Sequence, residues 1–155
     1  MEYNMIPDGR QSERALLIQR GTLRMWRNLG HASVCELTLA SGRRADVVSI
    51  DAANRIFISE IKSSSADFLS DRKWPDYLEW CDGFYFAIDT NTPEHLIPQS
   101  AGIVVADAFG AQILRAPEPR PALSPQRRKA ITLRFAQIAA WRLHRQDDPD
   151  AGLDD

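Results

Sequence analysis

Apolar positions recur at helical spacing after Ser12, where Ala15, Leu16, Leu17, Leu23 and Trp26 share one side of a helix. Ser12 as cap and Gly30 as stop signal predict that this helix runs to about Asn28. Three β-like runs follow: ASVCELTLA (32–40), RRADVVSID (43–51) and NRIFISEIKS (54–63). Turn residues at Ser41-Gly42 and from Asp51 to Asn54 separate them, so they predict an antiparallel meander. The polar stretch SSSADFLSDRK then leads into WPDYLEWCD, which reads as a helix starting near Trp74 with Pro75 in its first turn. GFYFAID (83–89) is an aromatic, β-rich run that predicts a buried strand, while GIVVAD and AQILRA are weaker strands around Ala108 to Gly110. A Pro-rich link ends at Ser124, which can cap a closing helix to about His144. The order α-β-β-β-α-β, then β-β and a helix, predicts an α/β (α+β) fold.

Composition narrows the class. A chain of 155 residues with 44% hydrophobic and 26% charged content suits one globular domain. That domain is expected over 11–145, after a flexible lead-in at 1–10 marked by Pro7, Asp8 and Gly9. The longest apolar stretch is broken by Asp107 and falls short of the ~20 residues of a membrane span. MEYNMIPDGR lacks the charged-then-apolar layout of a leader, so a cytoplasmic, membrane-free protein is expected. Two cysteines, Cys35 and Cys81, are too few for a disulfide scaffold or a zinc site and read as small buried hydrophobes.

Charge distribution changes the picture more than net charge does. The total is −2, but the last nine residues, DDPDAGLDD, hold five aspartates. Without them 19 basic residues face 16 acidic ones, so the body carries +3 and admits a polyanionic partner. The acidic end, 146–155, is expected to be a disordered tail.

Candidate chemistry lies on the second and third strands. Asp46 sits within RRADVVSI, and Glu60-Ile61-Lys62 ends the run RIFISEIK. Strand alternation puts Glu60 and Lys62 on one face, and hairpin pairing can bring Asp46 beside Glu60. Two carboxylates suit Mg²⁺, with Mn²⁺ as the alternative, and the Ile61 carbonyl is a candidate third ligand. A bound metal would acidify a water and stabilise phosphoryl charge, and Lys62 could position that water or stabilise the transition state.

Asp46 followed by Glu60-x-Lys62 on consecutive strands resembles the PD-(D/E)XK nuclease superfamily. The longer segment SEIKSSSADFLSDRKWPDYLEWCDGFYFAID, within a likeness over roughly 11–115, resembles the MmcB-like DNA-repair proteins. The resemblance implies a restriction-endonuclease-like core: a mixed central sheet flanked by helices, with extra strands and a C-terminal helix added here. It also implies Mg²⁺-dependent phosphodiester hydrolysis, DNA as partner and a DNA-repair context. Ala45 stands where the superfamily name expects proline. A catalytically inactive DNA-binding or adaptor module with the same fold is the alternative.

Further candidates surround this trio. Glu13 could supply a third acid, as first-helix glutamates do in similar nucleases, or serve as a first-turn acid favoured by the helix dipole. Glu36, an acid in an apolar strand, could also face the metal. Lys73 and Tyr77, four apart at the start of the second helix, could touch a DNA phosphate. Asp67 and Asp71 read as loop-capping or solvated groups. Arg127, Arg128, Lys129, Arg134, Arg142 and Arg145 on the closing helix could track a DNA backbone, or the helix could be an amphipathic packing element. The three scattered histidines have no ligand spacing, and P-loop and dinucleotide motifs are missing. Other DNA-repair proteins and a second copy of the chain complete the partners considered.

Overall fold

The structure, a computed structural model, describes residues 12–152. Helix α1 (Glu13–Asn28) begins where the Ser12 hydroxyl accepts the Ala15 N–H at 3.1 Å. Six strands follow in one mixed sheet: β1 (Ala32–Thr38), β2 (Arg44–Ile50), β3 (Ile56–Ile61), β4 (Gly83–Ile88), β5 (Gly102–Ala106) and β6 (Ala111–Arg115). Spatial order equals chain order. β1, β2 and β3 form the expected antiparallel meander, β3-β4-β5 run parallel, and β6 returns antiparallel.

Every residue of β4 is buried, as a strand covered on both faces requires. Side-chain parity divides the core between those faces. Ala15, Ile18, Met25 and Trp26 of α1 pack on Val47, Tyr85 and Ala87. The opposite face, with Val48, Ile58, Phe84 and Phe86, is covered by Phe68 and Tyr77 and by Ile131 and Ile138 of the closing helix α3 (Pro125–Asp147). Both cysteines join these cores; burial pushes the Cys35 thiol up to about 11 and Cys81 to about 12.

Two joints fix the layers. α1 meets the β5–β6 turn at Gly21, where an added Cβ would stand 2.0 Å from the Asp107 carbonyl oxygen. α3 is tied down by Arg128, which donates to both carboxylate oxygens of Asp82 at 2.6 and 2.8 Å. Asp82 also accepts the Ile56 N–H at the start of β3, at 2.7 Å.

The structure corrects the expectation for the connection between β3 and β4. The segment Trp74–Trp80 is a 3-10 helix, and the α-helix of this connection, α2 (Ser65–Ser70), lies in the polar stretch before it. Ser64 starts α2 by accepting the Asp67 N–H. The Asp71 carboxylate ends the stretch by accepting the N–H groups of Lys73 and Trp74. At the acidic end α3 runs through Asp147, and a 3-10 turn, Pro149–Ala151, follows. Residues 1–11, which hold the expected lead-in at 1–10, and 153–155 lie outside the described residues.

The arginines of α3 act as packing groups. Arg127 stacks over the Trp80 ring at 4.4 Å, and Arg134 lies over Trp141 at 5.9 Å. Arg142 donates to the carbonyls of Cys35 and Glu36.

Candidate active site

β2 and β3 pair from Ile50↔Ile56 to Val47↔Ser59, and the ladder stops there. Beyond that point two side chains replace backbone partners. Asp46 Oδ2 accepts the Ile61 N–H at 2.8 Å, and Glu60 Oε1 accepts the Asp46 N–H at 2.9 Å. Each carboxylate is thereby braced by the backbone of the other strand. Parity with Val48 and Ile58 sets both on the sheet face covered by Phe68 and Tyr77. The site lies at the carboxyl end of parallel strand β3, where ligands of open α/β sheets bind.

Lys62, just past β3, completes the trio. Glu60 and Lys62 are only 6% and 7% exposed, unusual for charged groups and the sign of a built polar cluster. Lys62 Nζ meets Asp71 Oδ2 at 2.8 Å, so the loop after α2 reaches back to the sheet. Burial works against the Lys62 ammonium, but Asp71, Asp67 and Glu60 outweigh it and hold its pKa above the ordinary value. Burial likewise opposes the Asp71 carboxylate, and Lys62 together with two backbone N–H groups holds it below the usual range.

The two braced carboxylates shift the other way. Burial drives Glu60 well above its ordinary 4.5, and the neighbouring Asp46 charge adds to that rise. Asp46 is also raised, mainly by burial, with the Ile61 N–H and Lys62 opposing. Both shifts favour the protonated forms, so a cation binding these carboxylates competes with protons. Among the described residues no group of three or more His, Cys, Asp or Glu side chains converges on a metal position. Two carboxylates still fit Mg²⁺, which usually takes one or two and fills its shell with waters and substrate phosphates.

A family model described as DNA repair protein MmcB-like matches residues 2–150. The chain belongs to the MmcB-like DNA repair protein family. A solved structure of a protein of unknown function from Silicibacter pomeroyi is 38% identical, with a TM-score of 0.87. The alignment covers 92% of this chain and 97% of that one. No curated protein matches. Family membership thus gives this MmcB-like chain a place in DNA repair, and the structural neighbour supports its fold. No helix among the described residues is long and apolar enough to cross a membrane.

The remaining candidates in the MmcB-like chain separate. Ile61 contributes its N–H to Asp46. Glu13 is exposed in the first turn of α1, whose Ser12 lies 3.3 Å from Ser63 beside the end of β3. Glu36 has left-handed backbone (φ 53) and a half-exposed carboxylate 3.9 Å from Arg44; this ion pair, rather than the Asp46–Glu60 pair, receives it. Tyr77 is corrected outright: it is buried, and its hydroxyl donates to the Arg44 carbonyl at 2.9 Å, so it walls the site and cannot reach out to DNA. Positions four apart share a face in an α-helix but diverge by about 120° in a 3-10 helix, which separates Tyr77 from exposed Lys73. Asp71, read from sequence as a loop group, is the partner of Lys62; its only local signal was an aspartate before a turn.

The raised Glu60 proton affinity has a thermal consequence. Folded Glu60 binds its proton more tightly than the unfolded chain does, so its stabilisation is complete below its ordinary 4.5. That stabilisation is lost as pH rises through the raised folded-state value. Melting curves of metal-free protein should therefore fall as pH increases across this window. Glu60→Gln should flatten that trend and melt higher at neutral pH, because the amide keeps the acceptor for Asp46 without a buried charge.

Proposed function

We propose that this MmcB-like chain is a divalent-metal-dependent DNA nuclease, hydrolysing phosphodiester bonds with Mg²⁺ or, in its place, Mn²⁺. The convergence of Asp46, Glu60 and Lys62 at the carboxyl end of β3 carries this reading. Asp46 and Glu60 offer hard oxygen donors whose mutual repulsion favours cation entry. When bound, the metal supplies an acidified water and charge neutralisation at the phosphoryl group. Lys62 keeps an ammonium aimed at the same space, where negative charge grows during phosphoryl transfer. Asp71 positions that ammonium and holds it protonated. Exposed Arg72 and Lys73, on the adjoining loop, lie where a DNA backbone would enter.

A cleavage panel tests the proposal: single-stranded, duplex, nicked, flap and junction DNA, each with Mg²⁺ or Mn²⁺. Metal-dependent cleavage of at least one substrate, blocked by chelation, is the expected result. Binding without metal should weaken with added salt, with log affinity falling by about 0.9 per phosphate contacted on duplex DNA. Salt-sensitive binding with no cleavage anywhere in the panel would replace the nuclease with a non-catalytic DNA-binding module.

A further inference from the structure

α3 has a second face that the other described residues leave uncovered. Ile131 and Ile138 are 3% and 2% exposed against the sheet. On the opposite side Lys129, Leu133, Ala136, Ala140, Leu143 and Asp147 are all exposed. They follow one another at alternating steps of four and three residues, the spacing of a helix-pairing seam. Leu133 and Leu143 are 56% and 60% exposed, an apolar stripe that an isolated surface helix does not require.

The stripe is a palindrome with inverted charge at its ends. Read in either direction the apolar part is Leu-Ala-Ala-Leu, with lysine at one end and aspartate at the other. A two-fold axis passing beside Ile138 sets Leu133 against the partner's Leu143 and Ala136 against the partner's Ala140. The same axis sets Lys129 against the partner's Asp147. The central alanines let the two backbones approach, and both ends close with opposite charges. Such an isologous contact is what a closed two-fold dimer needs.

We propose that two copies of this chain pair through antiparallel α3 helices along this stripe. The proposal stands apart from the nuclease reading, since none of the six residues belongs to the carboxylate site. One helix pair about 34 Å long gives a small interface, so a weak, concentration-dependent dimer is expected.

Charge exchange tests both the contact and its direction. Within one chain Lys129 and Asp147 are separated by about 27 Å of helix and cannot pair. They meet only across an antiparallel dimer. Sedimentation analysis of the full chain should show a monomer–dimer equilibrium. K129D alone and D147K alone should each weaken dimerisation by about tenfold, because both ends then juxtapose like charges. The double variant K129D/D147K should return to near wild-type affinity. Leu143→Asp should leave a monomer, with circular dichroism confirming that each variant folds. A wild-type chain that stays monomeric at sub-millimolar concentration overturns the proposal. Single variants without effect, or a double variant that fails to recover, overturn the antiparallel pairing.

Discussion

Lys62→Ala should lower cleavage by about 10²–10³-fold, the scale for removing one preorganised electrostatic stabiliser. Metal uptake should survive, because Asp46 and Glu60 remain braced by backbone N–H groups of the opposite strand. It should even strengthen, since a competing cation has gone. Glu60→Gln should fail differently. It preserves shape and the acceptor for the Asp46 N–H but removes a charged donor, so metal uptake and cleavage should be lost together. Calorimetric titration with Mg²⁺ and Mn²⁺ beside single-turnover cleavage separates the two outcomes. Equal rates for wild type and Lys62→Ala would remove Lys62 from the mechanism. DNA affinity should change little in either variant, because phosphate contacts come mostly from other basic groups.

Gly21→Ala should be among the most destabilising single substitutions outside the site. In a solvated helix the change would stabilise by roughly 1 kcal/mol. Here the new methyl would stand 2.0 Å from the Asp107 carbonyl oxygen and 2.4 Å from that of Gly110. Both obstacles are backbone, so no rotamer can relieve them. α1 must lift from the β5–β6 turn, at a cost of about 3 kcal/mol for overpacking. Melting should fall by roughly 6–12 °C for a domain of this size. An unchanged melting temperature would mean that the helix seats less closely than described.

How much was legible in the sequence depended on the range of the force involved. Strand alternation and apolar runs carried β1 to β6, because burial of one or both faces is written locally in each run. The trio Asp46, Glu60 and Lys62 was legible for the same reason: parity and hairpin register follow from the pattern. The mutual bracing of the carboxylates was not, since it replaces ladder bonds only where two strands stop pairing. Asp71 escaped because a loop aspartate shows its partner only after the chain closes over the sheet. Tyr77 was misplaced because four-residue spacing was read on an α-helical wheel, whereas Pro75 and Asp71 set a tighter 3-10 turn.

The left-handed turn at Glu36 bears on how the open edge of β1 meets other chains. β1 is an outer strand, and such strands offer open carbonyl and amide groups to any other chain that meets them. At its middle Glu36 takes a left-handed backbone conformation, and the Arg142 guanidinium caps the Cys35 and Glu36 carbonyls with a fixed positive charge. A second strand docking there would have to displace that charge and straighten the twist. The kink thus works as a guard against edge-to-edge aggregation. Arg142→Ala should expose it as faster thioflavin-positive assembly on prolonged incubation, with little change in cleavage.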